Sequence, residues 1–222
     1  TQPESSAASD VYKRQLETWQ HAICKHLSRF TSDANLIVPG GSTPIFLFKK
    51  FFNEKRFNQL ILSDERITSD KERSNFLTIS SLTNSNIFKL CDFPISNHKN
   101  ISLNKISDAL NKIKHPDIAL LGLGDDGHYA SIFPSTEVIE NDESNNLKII
   151  STKIGDSFEY RITLSEEYIK RTNEILFIAK GKNKYDLINK IENKSEEVIN
   201  LPIGKLINSY NGKLNIMYCV ND

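Results

Sequence analysis

Short, predominantly apolar runs joined by helix-period segments constrain this chain more than any other feature. Asn35-Leu-Ile-Val38, Gln59-Leu-Ile-Leu62, Ile118-Ala-Leu-Leu121, Glu174-Ile-Leu-Phe-Ile-Ala179 and Leu214–Val220 are too short for buried helices and do not alternate with polar residues. Strands apolar on both sides belong to parallel sheets whose two faces are covered. Between them, Ile45–Phe52, Phe76–Leu82, Asn104–Ile113 and the segment bearing Leu187, Ile188 and Ile191 have the spacing of amphipathic helices. The expected fold is therefore α/β, an open, mostly parallel Rossmann-like sheet with helices on both faces.

Leu147–Ile154 and Tyr160-Arg-Ile-Thr-Leu164 alternate and read as further strands, while the polar, acidic stretch 135–146 reads as a surface excursion. Leu16, Trp19, Ile23, Leu27 and Phe30 predict a first helix, with Asp10 as its cap. Residues 1–9 are small, polar and aperiodic, expected to be a disordered or vector-derived tail, leaving 10–222 as a single α/β domain.

Composition excludes several classes. With 28 basic and 28 acidic residues and no run of like charge, no nucleic-acid partner is expected, and any anion must be held by a local site. Cys24, Cys91 and Cys219 lie far apart, which argues against a disulfide framework or a zinc knuckle and fits a reducing compartment. His21 and His26 flank Cys24 but point to different helix faces, so no metal site is expected there. No apolar stretch approaches the roughly 18 residues that span a bilayer, and the expected location is cytoplasmic.

The run beginning at Ile118 breaks into Gly122-Leu-Gly124-Asp-Asp-Gly127-His128. Glycines allow a sharp turn that delivers Asp125, Asp126 and His128 to the carboxyl end of a strand, where open α/β sheets bind ligands. Three readings compete. The Gly-x-Gly-x-x-Gly spacing matches a dinucleotide loop, but Asp125 and Asp126 would face the pyrophosphate with like charge. A metal held by Asp126 and His128, with Asp64 or Glu65, lacks a second nearby histidine. Acid–base chemistry fits better: an imidazole with a pKa near ~6.5 takes a proton from water, and Asp126 or Asp125 fixes its tautomer.

Two other strand ends carry anion-binding chemistry. Pro39-Gly40-Gly41-Ser42-Thr43-Pro44 joins a strand to a helix, so free N–H groups, hydroxyls and the positive helix end suit a phosphate; Ser42 or Thr43 is the expected cap. Gly181-Lys-Asn-Lys184 opens another helix, where a cation opposes the helix dipole unless an anion docks. Asp64, Glu65 and Arg66 leave a third strand end in a charged loop.

In this order, Gly40-Gly-Ser-Thr-Pro44, Ser63-Asp-Glu-Arg66 with Ser74-Asn75, Leu121–Pro134, Arg161-Ile-Thr-Leu164 and Gly181-x-x-Lys184 resemble the 6-phosphogluconolactonase family. The resemblance runs from about Ile23 to Val220, and Asp126-Gly-His-Tyr-Ala-Ser-Ile-Phe-Pro134 is its most specific part. It implies hydrolysis of 6-phosphogluconolactone to 6-phosphogluconate in the oxidative pentose phosphate pathway, without metal or organic cofactor; separately, a monomer or homodimer is expected. It also implies His128 as general base oriented by Asp126. Gly40, Gly41, Ser42 and Thr43 would hold the phosphate with Arg161 and Lys184, and Asp64, Glu65 and Arg66 would line the sugar end. Three departures stand out: no leading strand before the first helix, Pro39 where a small residue is usual, and Tyr129 where threonine is common. Within the same fold, a hexosamine-6-phosphate deaminase or a non-catalytic sugar-phosphate sensor are the alternatives.

Overall fold

The computed structural model describes residues 10–14, 16–154 and 157–220; the expected tail at 1–9 lies outside them. The chain runs β1 (Asp10–Arg14), α1 (Leu16–Leu27), β2 (Asn35–Val38), a π-helical turn (Leu47–Phe51), α2 (Phe52–Glu54), β3 (Gln59–Leu62), β4 (Asp64–Arg66), α3 (Asn75–Ser80) and β5 (Ile87–Phe88). It continues through α4 (Leu103–Asn111), β6 (Ile118–Gly122), β7 (Glu137–Asn141), β8 (Leu147–Ile154), β9 (Ser157–Leu164), α5 (Glu166–Ile169) and β10 (Glu174–Lys180). It ends with α6 (Tyr185–Glu192), α7 (Glu196–Ile199), α8 (Pro202–Ser209) and β11 (Lys213–Cys219).

Seven strands form one sheet in the order β1-β11-β10-β6-β2-β3-β5, and every neighbouring pair is parallel. The side chains of β2, and of β6 as far as Leu121, are buried, as two-sided coverage requires. Helices supply the covering layers through stripes at helical spacing: Trp19, Ile23 and Leu27 on α1, Leu103 and Leu110 on α4, Leu187, Ile188 and Ile191 on α6. The Trp19 indole donates to the Met217 carbonyl at 2.8 Å, which fixes α1 against β11.

Two expectations need correction. Asp10 does not cap the first helix; 10–14 form the leading strand that the sequence reading found missing, paired with β11 from Asp10↔Asn215 to Arg14↔Cys219. The acidic stretch after Pro134 is not wholly irregular, since Glu137–Asn141 is the outer strand of a second, antiparallel sheet ordered β4-β9-β8-β7.

The two sheets are spliced at Ser63, between β3 and β4. Its N–H donates to Val38 of β2 at 2.9 Å and its carbonyl accepts from Leu164 of β9 at 2.8 Å. Strand order reverses between β2 and β6: the chain leaves β2 toward β3 and leaves β6 toward β10 on the other side. Diverging connections open a crevice at the carboxyl ends of such a pair. The loops that leave these ends are Pro39–Thr43 and Leu123–His128.

Candidate active site

A cavity of about 230 Å³ lies at that reversal point. Gly40, Gly41, Ser42 and Thr43 form one wall, Gly124, Asp125 and His128 a second, and Asp64, Arg66 and Arg161 a third, with Lys184 reaching in beside them. Three loops of the parallel sheet and two strands of the antiparallel sheet therefore meet around one space.

The first loop depends on glycine for two different reasons. Gly41 takes a φ of 80°, the left-handed region, whereas a Cβ on Gly40 would lie 2.2 Å from the Asn75 side chain. Contrary to expectation, no side-chain cap opens the π-helical turn that follows, and the Ser42 and Thr43 hydroxyls have no partner among the described residues. Both hydroxyls are left to face the cavity.

The central turn is built to place one ring. Gly124 N–H donates to the His128 carbonyl at 2.8 Å, and the Gly127 carbonyl accepts from Ile203 of α8 at 3.0 Å. Within it, Asp126 Oδ1 accepts from the His128 backbone N–H at 3.1 Å and meets ring Nδ1 at 2.5 Å. That contact makes Nδ1 the protonated nitrogen beside the carboxylate and leaves Nε2 as the acceptor. Asp126 itself stands behind the ring and outside the cavity wall. A Cβ on Gly124 would sit 2.1 Å from Nδ1 and 2.7 Å from Asp126 Oδ1, so only glycine lets this pair form.

The third wall is cationic and buried. In the β4–β9 ladder Arg66 lies directly opposite Arg161. Arg161 donates from Nε to Glu159 at 2.5 Å, and its Nη1 lies 3.4 Å from the Ser131 hydroxyl and 3.8 Å from Asp64. Arg66 donates to the Arg73 carbonyl and to Asn75 Oδ1, both at 2.9 Å. Desolvation holds both guanidinium pKa values below the usual range; for Arg66 the neighbouring Arg161 charge pushes the same way. Lys184, at the N-cap of α6, is also lowered by desolvation, partly offset by Asp125 and Asp126. Three cations held in a partly dry crevice favour an anionic ligand.

Of the sequence-predicted residues, the crevice brings together Gly40, Gly41, Ser42, Thr43, Asp64, Arg66, His128, Arg161 and Lys184. Glu65 is not in the wall. Strand alternation turns it away from Asp64 and Arg66, and its carboxylate accepts from the N–H groups of Arg66, Asn75 and Phe76 and from the Ser74 hydroxyl. Burial pushes its pKa up, with those four bonds opposing. Asn75 and Ala130 line the cavity without having been assigned there; Asp125, offered with Asp126 as partner to the imidazole, lines it too, and Ser131 sits just behind, donating to Asp64 at 2.6 Å. Each lies inside a motif that the sequence reading quoted, so motif membership was the available signal. Among the described residues no group of three His, Cys, Asp or Glu side chains is placed to ligate a metal, and no helix is long and apolar enough to cross a membrane.

Known proteins resemble the chain over nearly all of this architecture. The family model described as glucosamine-6-phosphate isomerases/6-phosphogluconolactonase matches residues 3–215. A 6-phosphogluconolactonase of Helicobacter pylori is 29% identical over 212 residues, covering 92% of this chain and 90% of the relative. One of Thermotoga maritima is 30% identical over 169 residues, covering 70% and 73% respectively. Among solved structures, a 6-phosphogluconolactonase from Shewanella baltica superposes with a TM-score of 0.79 at 21% identity, covering 95% of this chain and 97% of the other. At that identity the likeness speaks for the fold.

Proposed function

The chain belongs to the family of glucosamine-6-phosphate isomerases and 6-phosphogluconolactonases, and from that premise we propose that it hydrolyses 6-phospho-D-glucono-1,5-lactone to 6-phospho-D-gluconate. One observation carries the reading: the imidazole of His128, backed by Asp126 at 2.5 Å, opens on the same cavity as the Gly40–Thr43 loop and Lys184. A base and an anion anchor on one crevice suit a substrate with an electrophilic carbonyl at one end and a phosphate at the other.

The phosphate rests on the loop N–H groups and the Ser42 and Thr43 hydroxyls, with Lys184 and Arg161 supplying charge. Asp64 and Arg66 face the sugar. His128 Nε2 takes a proton from a water as its oxygen bonds to the lactone carbonyl carbon, and the Asp126 carboxylate stabilises the imidazolium formed. The tetrahedral oxyanion collapses, the bond from that carbon to the ring oxygen breaks, and the imidazolium returns its proton to the departing oxygen. The carboxylic acid product ionises, so one proton is released per turnover. A lactone is an activated ester, which makes water and one positioned base proportionate to the barrier. The cytoplasm, where sugar phosphates are metabolised, is the compartment this reading assigns.

The test is proton release from freshly made lactone, measured above spontaneous opening. Wild-type protein accelerates it, and His128→Ala lowers kcat by about 10²- to 10⁴-fold. No acceleration by the wild type, or full activity in the variant, would refute the proposal.

A further inference from the structure

Phe133 is a half-buried aromatic beside the crevice that the hydrophobic core does not account for. Its ring is neither part of the hydrophobic core nor among the partly buried apolar side chains packed on it. Its ring contacts are functional groups instead: the His128 imidazole, with centroids 4.4 Å apart and planes 32° from parallel, and the Arg161 guanidinium, 5.3 Å from the ring centre.

The backbone turns back on itself to make this possible. Ile132 N–H donates to the Tyr129 carbonyl at 2.9 Å, and Ala130 takes a φ of 49°, a left-handed conformation that a residue with a Cβ rarely adopts. Two positions of the turn are fastened by side-chain bonds: the Tyr129 hydroxyl to Glu166 at 2.9 Å, Ser131 N–H to Thr163 at 3.2 Å, and the Ser131 hydroxyl to Asp64 at 2.6 Å. Beyond it, Phe133 N–H donates to the Thr136 hydroxyl and the Phe133 carbonyl accepts from it, both at 3.1 Å. A strained, heavily anchored turn ends on a ring set against the base and an arginine of the third wall.

We propose that Phe133 is a positioning residue of the hydrolysis, a wedge that sets the tilt of the His128 ring and ties it to Arg161. The proposal rests on the reaction assigned above. Asp126 fixes His128 at Nδ1 but leaves the ring free to pivot about that contact, and an aromatic face alongside removes this freedom. The same face attracts the guanidinium through its π electrons. Base and cation are thereby held at one spacing, as near-attack alignment requires.

The test compares Phe133→Leu with Phe133→Tyr. The leucine variant is expected to keep the wild-type unfolding midpoint, since the ring is not a core element, and to lose about 10- to 100-fold in kcat with a smaller change in KM. Tyrosine, which keeps the ring face, restores kcat. Independently of activity, the His128 ring protons, assigned among the five histidines by their disappearance in His128→Ala, lose a ring-current shift in Phe133→Leu and regain it in Phe133→Tyr. Wild-type kcat in the leucine variant, unchanged ring-proton shifts, or unfolding of that variant would each overturn the proposal. A wild-type protein inert toward the lactone would instead refute the assigned reaction, while the ring-proton comparison would still decide whether the wedge exists.

Discussion

Gly124→Ala separates the placement of the His128 ring from the stability of the fold. The added Cβ would lie 2.1 Å from His128 Nδ1 and 2.7 Å from Asp126 Oδ1. Non-bonded carbon contacts settle near ~3.5–4.0 Å, so the imidazole must retreat by on the order of 1.5 Å. A displacement of ~1 Å at a reacting group costs up to about 10²-fold in rate. The expected fall in kcat is therefore on the order of 10²-fold, and kcat should not drop below that of His128→Ala. The fold should tolerate the change. Gly124 is not among the glycines with positive φ, and the His128 side chain is 30% exposed, so the ring can swing toward solvent without entering the core. The unfolding free energy should move by less than about 1 kcal/mol. Steady-state kinetics and urea titration of both single variants and the double variant form the assay. With the ring already removed, the new Cβ can displace only Asp126, which acts through that ring, and should add no further loss in kcat. Wild-type kcat in the single variant, or multiplicative losses in the double, would show that the working imidazole does not occupy the position described.

Lys184→Met should weaken binding of 6-phosphogluconate by about 10- to 100-fold, the equivalent of one charge-assisted hydrogen bond, as read by calorimetry. Because desolvation lowers the Lys184 pKa from its ordinary 10.5, the cation is lost earlier as pH rises, so wild-type affinity falls below that value while a Lys184→Arg variant stays flat. Parallel pH profiles for the two would remove Lys184 from the anion site. Glu65→Gln should lower stability by at least about 1 kcal/mol, since one acceptor oxygen becomes an NH₂ facing buried donors. An unshifted urea midpoint would contradict a structural role for that carboxylate.

How much of this the sequence disclosed depended on where the controlling interactions lie. β2, β3, β6, β10 and β11 were legible because two-sided burial demands unbroken apolar runs. β1, Asp-Val-Tyr-Lys-Arg, was not, because an edge strand with one partner needs no such run. β7 was hidden likewise, its residues all exposed. At the site, Asp126 and His128 could be paired on paper because they sit two residues apart in one turn. Gly40 and Asn75 could not, since 35 positions separate them and only tertiary packing brings them into contact. Glu65 was misplaced for a local reason: reading 63–76 as a loop concealed the two-residue alternation of β4, which sends neighbouring carboxylates to opposite sides.

Ser63 gives the crevice one last property. A single residue belongs to both sheets, donating into one and accepting from the other, so the two walls are mortised together like boards at a cabinet corner. Their spacing is set at this joint. Such a slot gauges its guest by length: a phosphorylated lactone one carbon longer or shorter seats its carbonyl off the imidazole even when its phosphate is fully engaged.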